Sequence, residues 1–472
     1  MLTIQSLLTK ILVPTLLILA GSVGAQSNSE LASQKEAYEA VRAKSILELQ
    51  PFRHTVAATD PSTGLHVKLI SLNPYTEAWF LLQVRPNRSG VPKNYHLENA
   101  DPGRTSISLQ ASGETALIIE TKDGRRTCKP WVNGQEALAA ASKTGLAYAP
   151  ICDGALFLRN RVVGARTNIE AAADFLRDNV WGGESIVRFV RNNFFKDSEL
   201  ETSDRLEAGG TVQTSAGPAP MQGRVPPGEQ PEIGTLMDIA LVGAAPGRMV
   251  IGQWYPVVGL DGVFASAFQP RAISDAIFQI PGANRLDGIE AKANGYMIAF
   301  DLDLYGVGYA VGTDHPALGW SPRPAASARI RGLPGPDGID NAKPLVTLGM
   351  VNPTIADRSV ATFTAGFKRQ HGAFKFGDMA TFNMGHHYGF IEKGVIFSKL
   401  QPNLSTLYGL VDGTSAMKTW EEADNALLPQ IAFARQNGVP LVTTDPETGQ
   451  AAPGDRVTRW GPGNWSGSAK AE

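Results

Sequence analysis

From Gly209 to Gly234 the chain reads GGTVQTSAGPAPMQGRVPPGEQPEIG, and no other stretch limits the possible folds as strongly. Gly and Pro are too frequent there, and apolar residues too few, to bury enough surface to offset the entropy of ordering. A Pro/Gly linker is therefore expected at 209–234, with a C-terminal domain at 235–472 beyond it. The 472 residues exceed what one ordinary core organises, so two or three domains fit the length as well.

Upstream, β-forming runs dominate. Between Phe52 and Glu120, HVKLISL, AWFLLQV, SISLQ and TALIIE are separated by the turn clusters DPSTG, RPNRSG, ENADPG and ASGE. A helix is expected before them at 29–50, capped by Ser29 and ended by Pro51. Together these make a 26–160 domain of one helix plus a β-rich body. A helical segment follows at 161–208, where Thr167 and Glu170 have capping-box spacing. Cys128 and Cys152 are the only cysteines. In an exported protein they read as one disulfide closing a 24-residue separation, the other reading being two buried thiols. Without C-x-x-C spacing they are not a zinc site.

Beyond the linker, IALVGAA, RMVIGQWYPVVGL and GVFASAF read as buried strands, and YMIAFDLDLYGVGYAVGT as a hairpin. Asp301 and Asp303 would share one face of that hairpin, as a carboxylate pair or as a solvent edge. ADNALLPQIAFARQNG reads as a helix stopped by Asn437-Gly438. The fold class expected is mixed α/β (α+β), with β-rich character in the N-terminal domain.

Lys10, the apolar run Ile11–Ala20 and Val23-Gly24-Ala25 form the three parts of a secretory signal, with cleavage after Ala25. The other reading is an uncleaved anchor, for which the run is short. A secreted or periplasmic protein without membrane insertion is expected. A net charge of −2 gives no electrostatic reason to expect nucleic acid as a partner.

The chemistry-bearing residues concentrate in 363–413, FTAGFKRQHGAFKFGDMATFNMGHHYGFIEKGVIFSKLQPNLSTLYGLVDG. His371, His386 and His387 fall here with Arg369, Asp378, Asn383 and Glu392, between glycines that let backbone approach a ligand or simply turn. A metal site is not expected, because adjacent His386 and His387 point apart in a strand and no H-E-x-x-H spacing occurs. Neither a G-x-S-x-G elbow nor a Rossmann or P-loop cradle is present, so no cofactor is expected. Asp378, Glu392, Asp412 and Asp314 are carboxylates that can supply a general acid and base for glycosyl chemistry. Near the C-terminus, Trp460 and Trp465 stand among Gly, Asn and Ser, a setting that suits sugar rings or a core edge.

The order Ala380, Asn383, Gly385, then YGFIEKGVIFSKL at 388–400, then a strand ending in Asp412-Gly413, resembles the bacterial phosphodiester glycosidase domain. QNGVPLV at 436–442 is similar to a later element of that family, and the likeness spans roughly 345–468. It implies an α/β domain that hydrolyses a sugar-1-phosphodiester or related envelope glycan bond, with a carbohydrate or sugar phosphate as ligand. Asn383, Gly385, Asp412 and Gly413 carry over from the motif. His386, His387 and Arg369 join them from chemistry, as groups to move protons or hold phosphate oxygens. The family's late Asp-Gly-Gly-Gly-Ser segment has no counterpart, which implies a domain that ends early. The competing expectation is a non-catalytic cell-envelope protein that binds glycan or plays a structural part.

Overall fold

The computed structural model describes residues 28–39, 52–87, 89–161, 231–272, 290–311, 345–363, 389–436, 442–444, 447–449 and 451–453, with single positions at 172, 175 and 180. They form a β-rich mixed α/β protein of antiparallel sheets with few helices. The predicted signal segment, most of the predicted linker and the predicted capping box lie outside the described residues.

After helix α1 (Asn28–Glu39), strands β1 (His54–Thr59), β2 (His66–Ser71), β3 (Trp79–Arg85) and β4 (Lys93–Asn99) form consecutive antiparallel pairs. β5 (Ser106–Gln110), β6 (Ala116–Thr121) and β7 (Gly124–Cys128) form a separate three-stranded sheet. Helix α2 (Val132–Lys143) leads to β8 (Tyr148–Ile151) and β9 (Leu156–Arg159), which complete a six-stranded sheet in the order β1-β2-β3-β4-β9-β8. Alternation sorts this sheet into two faces. Phe80, Leu82, Val84 and Leu97 face a core shared with Ile107, Leu117, Ile119, Trp131 and Leu138. The disulfide forms as expected: Cys128 at the end of β7 is bonded to Cys152 just after β8, with Cα atoms 5.7 Å apart.

A small β unit follows. It contains β10 (Glu232–Gly234), β11 (Arg248–Val250), β12 (Trp254–Pro256), β13 (Val263–Phe268) and β14 (Gly295–Phe300). Its core is Ile233, Met249, Ile251, Tyr255, Ala265 and Ala267. IALVGAA is not a strand here, and its Leu241 makes a single bridge to Val257. The hairpin predicted at 296–313 does not form among its described residues, 296–311, either. β14 pairs back onto β13, and Asp301 starts a turn in which its Oδ1 accepts from Asp303 N at 2.9 Å. An Asx turn competes with strand continuation at that point.

Helix α3 (Pro353–Ala356) precedes β15 (Phe390–Glu392), β16 (Val395–Ser398), β17 (Ser405–Leu410), β18 (Ser415–Thr419) and β19 (Ile431–Gln436). These five strands form one sheet in the order β16-β15-β19-β17-β18. A short pair, β20 (Val442–Thr444) and β21 (Ala451–Pro453), lies beyond. The helix expected over ADNALLPQIAFARQNG is instead a 3₁₀ segment, Glu422–Gln430, followed by β19. Pro429 lacks the N–H a helix needs, and the backbone of 431–436 is paired on both sides, with β15 and β17. Asn437-Gly438 lies outside the described residues.

Two cores join early and late chain. Ile70, Leu72, Trp79 and Leu81 pack with Leu345, Phe390, Val395, Phe397 and Leu404. Tyr38 and Phe52 pack with Ile391, Ile396, Leu400, Trp420 and Ile431. The turn after β15 is docked as well: Asn73 Nδ2 donates to Gly394 O at 2.9 Å, and Thr76 Oγ1 to Lys393 O at 3.0 Å.

Candidate functional site

The second face of the six-stranded sheet is polar where it meets late chain. Trp79, Leu81 and Gln83 on β3 stand opposite Glu98, His96 and Asn94 on β4. Arg159 ends β9 on the same face, opposite Tyr148 of β8. Glu98, His96 and Arg159 are all buried, a placement ionisable groups accept only with partners.

Glu98 has three partners. Its Oε2 accepts from Trp79 Nε1 at 3.0 Å and lies 3.3 Å from Arg159 Nη1, and its Oε1 accepts from Asn352 Nδ2 at 2.8 Å. The Arg159 guanidinium carbon sits 4.7 Å from the Trp79 ring centre and 5.5 Å from that of Tyr148, within cation–π range. His96 Nδ1 accepts from Val346 N at 3.1 Å, which puts the ring proton on Nε2. Burial, with the Arg159 charge adding to it, holds His96 well below its ordinary value, so the ring is neutral. Burial also raises the Tyr148 phenol.

Glu392 completes the group from the C-terminal sheet. It closes β15, is buried, and accepts from Val311 N through Oε2 at 2.8 Å. Burial pushes its carboxyl up to about 7, and the Glu98 charge adds to that rise. Arg159, the Val311 hydrogen bond and Lys393 oppose it. Tyr309, beside Glu392 and Arg435, has its phenol raised by burial. A carboxyl that changes protonation near neutrality, beside a carboxylate–guanidinium pair, is chemically able to give and take a proton.

Comparison with known protein families, curated proteins and solved structures found no match. The chemistry therefore rests on these side chains alone.

Of the residues expected to form the site, Asp412 and Gly413 are described. They make the tip of the β17–β18 hairpin. Asp412 is exposed and its Oδ1 accepts from Thr414 N at 2.9 Å, a local turn bond that lowers its carboxyl. Gly413 has φ +92°, with nothing near the position of a Cβ. Arg369, Asn383, Gly385, His386, His387, Trp460 and Trp465 lie outside the described residues, as do His371, Asp378 and Asp314. Among the described residues, no group of three or more His, Cys, Asp or Glu side chains is arranged to hold a metal ion, and no helix is long and apolar enough to cross a membrane.

Glu392 belongs to the stretch singled out in the sequence, but Glu98, Arg159, His96 and Asn352 do not. One signal for them existed. KNYHLEN puts Asn94, His96 and Glu98 at alternate positions of a strand, on the face opposite Leu97. Polar residues alternating through an otherwise apolar sheet mark either a solvent face or a buried polar stripe.

Proposed function

We propose that the protein is an exported hydrolase of the phosphodiester glycosidase type, acting on a sugar-1-phosphodiester or related envelope glycan bond. The observation that carries this reading is the buried Glu392 carboxyl, held near neutrality within the 388–400 segment on which the family resemblance rests. Cleaving a glycosidic bond is assisted by an acid that is still protonated near pH 7 and gives its proton to the leaving oxygen as the C–O bond breaks. Glu392 would be that acid, its carboxyl raised by burial and further by the Glu98 charge, against the opposing pull of Arg159. Arg369 and Asn383 would hold phosphate or sugar oxygens. His386, His387 or Asp412 would take the proton from water. Gly385 and Gly413 would admit the ligand closely, and Trp460 and Trp465 would stack on sugar rings. Export follows from the N-terminal signal cleaved after Ala25.

The test is turnover of a GlcNAc-1-phosphodiester by the purified mature protein. Asn383→Ala and Glu392→Gln should each lower the rate about a hundredfold or more while circular dichroism stays unchanged. No turnover by folded wild-type protein would refute the hydrolase reading.

One observation favours a second reading, a non-catalytic envelope protein that binds glycan or plays a structural part. Glu98 is buried and already bonded to three groups of its own chain. On that reading the polar group ties strands together, and glycan binding without turnover would be found.

A further inference from the structure

We propose that Arg159 and His96 form a buried binding site for a small oxyanion of the phosphate class, on the polar face shared by β3, β4 and β9. The two side chains are neighbours. Leu97 of β4 stands opposite Leu158 of β9, and both enter the apolar core. One step along each strand, His96 and Arg159 therefore fall side by side on the other face. Both lie against Trp79 of β3, whose ring centre is 5.1 Å from that of His96 and 4.7 Å from the Arg159 guanidinium carbon.

The Arg159 side chain is 2% exposed, and its Nε and Nη1 donate to no acceptor among the described residues. Its contact with Glu98, at 3.3 Å, is an ion pair without the alignment of a hydrogen bond. The Glu98 oxygens accept from Trp79 and Asn352 instead. The Trp79 and Tyr148 rings stabilise the cation, but its N–H groups still call for oxygen acceptors. His96 is in the same position. Its Nδ1 accepts from Val346 N, which leaves the proton on Nε2, and that atom is buried with no partner among the described residues. Buried donors without acceptors are rare, because each forfeits its bonds to water. Three occur here on two adjacent side chains. A hydroxyl or amide would bring donors of its own, whereas an oxyanion brings acceptors alone and suits a guanidinium fork. The charges agree. Lys393 beside Glu392, and Arg435 across Tyr309, join Arg159 as three cations against the two carboxylates Glu98 and Glu392.

This inference concerns binding, not turnover, so it stands or falls apart from the hydrolase reading. The Nε–H NMR signal of Arg159, assigned by its loss in Arg159→Lys, is followed as inorganic phosphate is added to the full chain. Sodium chloride at matched ionic strength is the control. Phosphate should move the signal saturably and chloride should not, with one phosphate bound per chain by calorimetry. Arg159→Lys keeps the charge without the fork, and His96→Phe removes the ring N–H. Each should weaken phosphate binding roughly tenfold or more. Should Arg159→Lys fail to fold, the double variant Glu98→Gln with Arg159→Met, which removes both charges, assigns the signal and should abolish binding. A wild-type signal that phosphate moves no more than chloride does would overturn the site, water then being what meets the donors. Phosphate binding left unchanged by these substitutions would overturn it equally.

Discussion

Asn352 Nδ2 donates to Glu98 Oε1 at 2.8 Å, across 254 positions of sequence. With the Val346 N bond to His96, it fastens 345–352 along β4 and finishes the burial of the polar face. Glu98 neutralises Arg159 in the same step, so its two partnerships fail differently when cut. Asn352→Ala should cost about 1–3 kcal/mol, the price of one buried acceptor losing its donor. Glu98→Ala should cost about 3–5 kcal/mol, because Arg159 is left buried and unpaired. Urea unfolding midpoints check both values and their order.

Protonation of Glu392 makes stability depend on pH with a definite sign. Burial raises its folded value from 4.5 to about 7, so the folded state holds a proton that the unfolded state has released. The contribution is fully present below pH 4.5 and is lost as pH rises toward 7, by about 3 kcal/mol in all. Glu392→Gln should remove that slope. Chemical denaturation at half-unit pH steps, wild type against Glu392→Gln, gives the difference directly.

Two glycines should respond to alanine differently. At Gly394, with φ +75°, a Cβ would fall 2.6 Å from Thr76 Oγ1 and 2.7 Å from Asn73 Nδ2. Strain and crowding together should cost about 2–4 kcal/mol there. At Gly413 the surroundings are open, so only backbone strain applies, about 1–2 kcal/mol. Asp412→Ala at the same tip should change stability by less than about 1 kcal/mol, as befits an exposed turn residue. Thermal unfolding of the three variants ranks them.

Helix α1 belongs energetically to the far end of the chain. Tyr38 is fully buried against the C-terminal sheet, and its hydroxyl accepts from Leu400 N at 3.0 Å. Tyr38→Phe should cost about 1–3 kcal/mol by leaving that N–H without its partner. Tyr38→Ala should cost about 3–5 kcal/mol through the cavity it opens. Both are read from denaturant midpoints.

Strands with strong local signals were legible in the sequence. HVKLISL, AWFLLQV, SISLQ, TALIIE and GVFASAF all form strands, because β-rich side chains and turn residues agree at each. ADNALLPQIAFARQNG misled because Ile431, Phe433 and their neighbours also fit an amphipathic helix. Pairing with β15 and β17, set by distant chain, decided the outcome. The disulfide was readable from two cysteines and the expectation of export. The polar group was not. Glu392 carries a local cue, set among glycines, but its proton affinity depends first on burial and then on Arg159 and Glu98, which lie on strands more than 200 positions earlier. No local pattern encodes which side chains a sheet face will bury together.

The most direct measurement is a pH titration of the Glu392 side-chain carboxyl carbon by NMR, assigned with Glu392→Gln. A midpoint near 7 is expected for a carboxyl buried beside Glu98 and Arg159. A midpoint at the ordinary glutamate value of 4.5 would contradict the acid role.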